Sequence, residues 1–132
     1  QKGRCFYCFS AITVNANSEM LADVDHFFPH TLKQHGFGLA IDGVWNLVLA
    51  CQTCNRGQAG KFSKLPDLVL LNRLHTRNNF LIESHHPLRE TLIIQTGASE
   101  LSRRGYLQES YNRAKELLIH TWTPETKHEP AF

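Results

Sequence analysis

A short stretch of the chain places an acid and an imidazole side by side. The segment DVDHFFP, residues 23–29, has Asp25 directly before His26 and ends in Pro29. A neutral imidazole can take a proton from water near pH 7, because the ordinary pKa of histidine is about 6.5. Carboxylate and amide oxygens are hard donors that suit Mg²⁺ or Mn²⁺. Asp25, His26 and the later Asn55 therefore form a set suited to cation-assisted hydrolysis of a phosphodiester.

All four cysteines of the chain occur in C-x-x-C pairs. Cys5 pairs with Cys8 in CFYC, and Cys51 pairs with Cys54 in CQTC. Two residues between thiolates let both bind one ion, so the spacing favours a structural zinc site. Two disulfides in a secreted domain are the alternative. Because no export signal is evident, we favour zinc in a reducing cytoplasm.

Two apolar segments are predicted to form the strands that position these groups. Residues 20–28 become bulky and aromatic, and residues 44–50 (VWNLVLA) run directly into the second cysteine pair. Adjacent residues on a regular strand point to opposite faces, so Asp25 and His26 can converge only where their strand ends or bends. We expect Gly57 to end or loosen the helix that follows the second pair.

From residue 65 onward the pattern becomes helical. Leucines recur every third residue from Leu65 to Leu74, and Pro66 suits the first turn of a helix. A second helix is predicted over residues 87–95 and a third over residues 99–122. Length and order predict an α+β chain with a β-containing core over residues 1–65, a helical extension packed on it over residues 66–123 and a flexible tail over residues 124–132.

The combination of DVDHFFP, Asn46 in WNLVLAC and Asn55 in CQTCN resembles the HNH endonuclease family, in its variant with asparagine in the last position. The resemblance covers about residues 5–65 and implies a ββα-metal finger, in which two strands and a helix hold one catalytic ion. It implies that Asp25 and Asn55 bind a catalytic Mg²⁺ or Mn²⁺ and that His26 is the general base. It also implies that Asn46 holds the loop that aims His26. The two C-x-x-C pairs match family members in which a separate structural zinc staples the finger.

Basic side chains follow the second cysteine pair. Arg56, Lys61 and Lys64 are candidates for contacts with a DNA phosphate backbone, and His30 is a candidate from the loop after the first strand. A solvated basic face is the alternative. Many relatives carry lysine three residues after the final asparagine, where this chain has Gln58.

Composition permits a nucleic-acid partner without demanding one, because the net charge is only +2. No apolar run approaches the roughly 18 residues that a membrane span needs, and no signal peptide is evident, so we expect a cytoplasmic protein without a membrane partner. The chain opens on Gln1, and we expect a processed protein or a piece of a longer one.

The sequence thus predicts an HNH-type DNA endonuclease, a hydrolase that depends on Mg²⁺ or Mn²⁺. The resemblance implies a prokaryotic defence, restriction or mobile-element setting, with a larger protein or complex that targets the nuclease, or a homodimer. The alternative is a catalytically inactive, zinc-stapled module that binds nucleic acid.

Overall fold

The computed structural model describes residues 3–15, 20–35 and 40–124. Its strands and helices are β1 (Asp23–His26), β2 (Leu47–Ala50), α1 (Gln52–Arg56), β3 (Leu65–Pro66), α2 (Leu68–Glu83), α3 (Arg89–Thr96), α4 (Glu100–Leu117) and β4 (Thr121–Trp122). Two 3₁₀ turns, His30–His35 and Val44–Asn46, lie between β1 and β2. The architecture mixes small sheets with helices and is compatible with the predicted α+β class. No helix within the described ranges is long and apolar enough to cross a membrane.

The strands β1 and β2 form an antiparallel pair, in which Asp23 lies opposite Ala50 and His26 lies opposite Leu47. Both strands lie inside the predicted apolar segments and are shorter than those segments. β1 ends at His26, and the chain bends at the next two residues. Asp25 and His26 therefore occupy the end of a strand, where adjacent side chains can turn toward one site.

The strand pair leads directly into the short helix α1. Cys51 caps its N-terminus, since its sulfur accepts a hydrogen bond from the Cys54 N–H at 3.4 Å. Gly57 ends the helix after five residues, and a Cβ at this glycine would lie 2.5 Å from the Thr53 carbonyl oxygen. The chain then folds back, and the Lys61 N–H donates to the Cys54 carbonyl at 2.6 Å. The prediction that Gly57 shortens this helix is confirmed.

A second strand pair joins the two ends of the helical part, because β3 precedes α2 and β4 follows α4. β3 and β4 run parallel, and the Trp122 indole N–H donates to the Ala59 carbonyl at 2.9 Å. The last helix ends at Leu117, although the sequence predicts a helix to residue 122. The difference arises because Thr121 and Trp122 pair with β3, and the Trp122 carbonyl accepts a hydrogen bond from the Asp67 N–H at 3.0 Å. A strand that makes these contacts cannot at the same time be the last turn of α4.

The start of α2 also differs from the prediction. Pro66 belongs to β3 and does not lie in the first turn of a helix. Asp67 is the N-cap instead, and its carboxylate accepts a hydrogen bond from the Leu70 N–H at 3.2 Å. A side-chain cap of this kind satisfies a donor that the first helical turn leaves unpaired.

Two arginines of α2 bind the core through backbone carbonyls. Arg73 Nη1 donates to the carbonyls of Phe6 and Tyr7 at 2.6 and 2.8 Å. Arg77 donates to three carbonyls at the start of the second strand segment, namely those of Leu47, Val44 and Trp45, at 2.8, 3.2 and 3.2 Å. The buried hydrophobic cluster also includes residues of both the predicted core and the predicted helical extension. The helical part therefore holds the strands in place.

We expect Arg77→Met to destabilise the protein by about 3 kcal/mol, because three charge-assisted hydrogen bonds to backbone carbonyls are lost and the Leu47 carbonyl loses its side-chain donor. Urea unfolding, followed by circular dichroism, measures the effect. Lys115→Met, which removes an exposed charge in the last turn of α4, is the control and should change stability by less than about 0.5 kcal/mol. Equal unfolding midpoints for the two variants would contradict the role given to Arg77.

Candidate functional site

Four thiols meet at one point. The Sγ atoms of Cys5, Cys8, Cys51 and Cys54 all lie within 4.8 Å of one another, and those of Cys8 and Cys51 are 3.7 Å apart. Zn–S bonds of about 2.3 Å in a tetrahedron separate the sulfurs by about 3.8 Å, whereas a disulfide holds two sulfurs about 2.05 Å apart. The observed spacing therefore matches metal ligation. The cluster could bind a structural zinc ion, as the C-x-x-C spacing predicts.

The first cysteine pair sits on a turn that is fastened to β2. The Tyr7 N–H donates to Cys5 Sγ at 3.3 Å, and the Phe6 N–H donates to the carbonyl of Leu49 at 2.9 Å. The second pair lies at the N-terminus of α1. A short turn and a helix start thus bring four thiols together from positions that are far apart in the sequence.

The thiols also influence one another's ionisation. Hydrogen bonds from the thiols of Cys5, Cys54 and Cys8 hold the pKa of Cys51 below its ordinary value. The pKa of Cys8 is lowered to about 6, chiefly by its hydrogen bond with Cys5. Hydrogen bonds with the other thiols raise the pKa values of Cys5 and Cys54, so two thiols of the cluster ionise readily and two do not. Zinc binds thiolates, so an ion bound to all four sulfurs would displace the remaining thiol protons.

A hydrogen bond and an ion pair both hold the Asp25 carboxylate at the same oxygen. The Tyr7 hydroxyl donates to Asp25 Oδ2 at 2.6 Å, and Lys61 Nζ lies 3.3 Å from the same oxygen. Asp25 is only 8% exposed. Burial raises the pKa of Tyr7 well above its ordinary value, and the negative charge of Asp25 adds to this effect, so the phenol remains a donor.

Lys61 differs most from its predicted position. The sequence places it among the DNA-facing basic residues, but its side chain is fully buried. Its ammonium donates to the His26 carbonyl at 2.8 Å. Burial lowers the pKa of Lys61, and the charge of Asp25 partly offsets this effect. In this conformation Lys61 is not available to a phosphate, because the loop after α1 carries it beneath the end of β1.

His26 contacts a carboxylate that the sequence analysis missed. His26 Nε2 lies 2.9 Å from Asp42 Oδ1, and the other carboxylate oxygen of Asp42 pairs with Lys33. Lys33 and then His26 lower the pKa of Asp42, so it is ionised near neutral pH. When Nε2 donates its proton to Asp42, the lone pair is on Nδ1. No local pattern marks Asp42, which lies in a loop and reaches His26 only through the fold.

Asn46 is fully buried, and its side chain binds two backbone segments of the connection between β1 and β2. Its Oδ1 accepts from the Phe28 N–H at 2.7 Å, and its Nδ2 donates to the carbonyls of Phe28 and Ile41 at 3.0 and 2.9 Å. Through these bonds Asn46 can hold the chain two residues after His26, which is the function that the family resemblance implies for it.

We expect Asn46→Ala to lower stability by about 3 kcal/mol, since the three buried hydrogen bonds that the Asn46 side chain makes to the backbone of Phe28 and Ile41 are lost. Differential scanning calorimetry measures this loss. A matched substitution is Asn112→Ala, which changes an exposed asparagine of α4 and should leave the transition nearly unchanged. If the two variants melt alike, Asn46 does not hold this loop.

Asn55 lies against Asp23. Asn55 Nδ2 donates to Asp23 Oδ2 at 2.9 Å, and Arg56 Nε lies 3.1 Å from the same oxygen. The Asp23 side chain is only 18% exposed. The structure therefore adds Asp23 to the surroundings of the predicted metal ligand Asn55.

The remaining DNA-contact candidates lie at the surface. His30 is exposed, and its ring centroid is 5.6 Å from that of His26. Lys64 is exposed, as is Arg56, which is paired with Asp23. These three side chains are accessible to a polyanion, in contrast to Lys61.

In each of the three predicted reactive side chains, one polar atom has a hydrogen-bond partner and the other has none among the described residues. Hydrogen bonds hold Asp25 Oδ2, Asn55 Nδ2 and His26 Nε2. Within the part of the chain that the structure describes, Asp25 Oδ1, Asn55 Oδ1 and His26 Nδ1 have no hydrogen-bond partner. Two oxygen donors and a nitrogen lone pair are the atoms that a hard cation and a general base require.

No protein-family model, no curated protein and no solved structure matches the chain.

Proposed function

We propose that the chain is a metal-dependent DNA endonuclease of the HNH type. One observation carries this proposal. In each of Asp25, His26 and Asn55 a hydrogen bond fixes one polar atom of the side chain, and the second polar atom has no hydrogen-bond partner among the described residues. Preorganised ligands and a fixed base are what hydrolysis of a phosphodiester needs, since little reorganisation then remains for the reaction itself.

The order of the elements supports the same proposal. β1, β2 and α1 follow one another as two antiparallel strands and a helix, which is the order of a ββα-metal finger. Asp25 and His26 lie at the end of β1, and Asn55 lies on α1. The four-cysteine cluster at the base of α1 provides the expected site for a structural zinc.

In the proposed reaction His26 Nδ1 accepts a proton from the attacking water, and Asp42 stabilises the resulting imidazolium through Nε2. Asp25 Oδ1 and Asn55 Oδ1 are the protein atoms that would hold a divalent cation. Such a cation, Mg²⁺ or Mn²⁺, would supply positive charge to the phosphoryl oxygen and the departing 3′ oxygen. The family resemblance implies a 5′-phosphate and a 3′-hydroxyl as products.

DNA binding would rest on exposed basic groups. Arg56 and Lys64 are accessible to phosphates, and His30 lies beside the proposed base. Contacts of this kind give affinity without sequence readout. We therefore retain the proposal that a larger protein or complex, or a second copy of the chain, directs cleavage in a cytoplasmic defence, restriction or mobile-element system.

One contact favours the alternative of a zinc-stapled binding module without catalysis. The ammonium of Lys61 lies 3.3 Å from Asp25 Oδ2. Where that ammonium is charged, it offsets the carboxylate and weakens the attraction of the site for a cation. A module of this kind would bind DNA and would not cleave it.

Zinc-loaded protein should nick supercoiled plasmid when Mg²⁺ or Mn²⁺ is added. The cation is best withheld by omission rather than by a chelator, because a chelator would also remove zinc from the cysteines. Nicking that requires the added cation supports the nuclease. DNA binding without nicking in either metal, by folded protein with one zinc per chain, would support the binding module instead.

A further inference from the structure

The Tyr7 hydroxyl joins the four-cysteine cluster to the acid proposed to hold the catalytic cation. Tyr7 lies between Cys5 and Cys8, and its hydroxyl donates to Asp25 Oδ2 at 2.6 Å. Tyr7 is 1% exposed and Asp25 is 8% exposed. A hydrogen bond from a hydroxyl to a carboxylate is charge-assisted, and its strength increases where water is excluded.

The ring that carries this hydroxyl is fixed on several sides. It packs edge-to-face against Phe6 and Trp122, with both centroids 5.1 Å away. At the backbone, the Tyr7 N–H donates to Cys5 Sγ, and the Tyr7 carbonyl accepts from Arg73. A donor held in this way cannot follow a carboxylate that moves, so it determines where the carboxylate lies.

Both contacts to the Asp25 side chain fall on the same oxygen. Lys61 Nζ approaches Oδ2 at 3.3 Å, as the Tyr7 hydroxyl does at 2.6 Å. Among the described residues Oδ1 has no hydrogen-bond donor. A hydrogen bond and an ion pair on one oxygen limit rotation of the carboxylate and leave the other oxygen as the single-atom ligand.

Resting on the proposed function, we infer that Tyr7 is a positioning residue for the catalytic cation, because it fixes Asp25 through Oδ2 and thereby presents Oδ1 as the ligand. The turn that carries Cys5 and Cys8 then serves two metals. It holds the structural zinc through Cys5 and Cys8, and it supports the second metal site through the hydroxyl between them. Groups that orient a metal ligand in this way typically contribute about 10–100-fold to metal affinity.

Mn²⁺ binding to the full chain, measured by electron paramagnetic resonance after saturation with zinc, tests the inference. Tyr7→Phe keeps the ring and removes the hydroxyl, so Mn²⁺ should bind about 10–100-fold more weakly while one zinc per chain is retained. Tyr111→Phe is the matched control. Tyr111 is also buried, and its hydroxyl donates to the Pro66 carbonyl at 2.8 Å, away from the acid. Its removal should leave Mn²⁺ affinity unchanged.

The direction of the change in Mn²⁺ affinity distinguishes a positioning role of Tyr7 from an effect on the basicity of the Asp25 carboxylate. Loss of a donor makes a carboxylate more basic, so an electronic effect alone would tighten Mn²⁺ binding in Tyr7→Phe. Unchanged or tighter binding therefore overturns the inference and leaves the proposed function standing, provided that Mn²⁺ binds the unaltered protein. If the unaltered protein binds no Mn²⁺, or if Asp25→Asn binds it equally well, both the inference and the proposed function fail.

Discussion

Replacing His26 with alanine should lower the rate of DNA cleavage by about 10²–10⁴-fold, the contribution expected of a general base. The fold should survive the change, because the His26 side chain is partly exposed and Lys61 binds the His26 carbonyl, which alanine retains. Plasmid nicking under saturating Mg²⁺ measures the rate, and zinc content and thermal unfolding establish that the variant is folded.

His120→Ala is the control for this experiment. His120 is exposed and lies between α4 and β4, outside the residues to which we assign chemistry. The His120→Ala variant should cleave DNA at the rate of the unaltered protein. A folded, zinc-containing His26→Ala protein that cleaves at the unaltered rate would remove His26 from the mechanism.

Loss of zinc should abolish cooperative folding. The thiol of Cys5 is fully buried, and the turn that carries it contributes Phe6 and Tyr7 to the hydrophobic core. Structural zinc sites contribute about 10–16 kcal/mol of apparent binding free energy, which is comparable to or larger than the roughly 5–15 kcal/mol of a typical folded domain. We therefore expect Cys5→Ser, or chelation in the presence of a reducing agent, to remove the unfolding transition seen by circular dichroism.

Thr53→Ala is a matched control for this prediction, since Thr53 is exposed between Cys51 and Cys54 and its substitution keeps all four thiols. It should bind one zinc and melt near the unaltered temperature. Chelated, reduced protein that still unfolds cooperatively at that temperature would show that the cysteines do not hold a metal on which the fold depends.

Local sequence patterns predicted the features that depend on neighbouring residues. The cysteine spacing indicated a four-thiol cluster, the apolar segments indicated β1 and β2, and Gly57 indicated the early end of α1. In each case the signal lies in neighbouring residues. It is the C-x-x-C spacing that binding of one metal ion requires, the run of apolar residues that a buried strand requires, or the glycine at the helix end.

Features that depend on long-range contacts were not predicted. The position of Asp42 beside His26 and the burial of Lys61 both depend on how loops return to the end of β1. Pro66 was expected in a helix, but pairing of β3 with β4 places it in a strand. His26 lies 16 residues from Asp42 and 35 residues from Lys61, and contacts at such separations leave no local pattern.

The single-turnover rate of cleavage of an end-labelled DNA duplex, measured against Mg²⁺ concentration with zinc already bound, tests the central claim most directly. The proposed function predicts a rate that rises from background to a plateau as Mg²⁺ increases, with products that carry a 5′-phosphate and a 3′-hydroxyl. A rate that is independent of Mg²⁺ and Mn²⁺, or DNA that is bound and never cut, would contradict a metal-dependent nuclease.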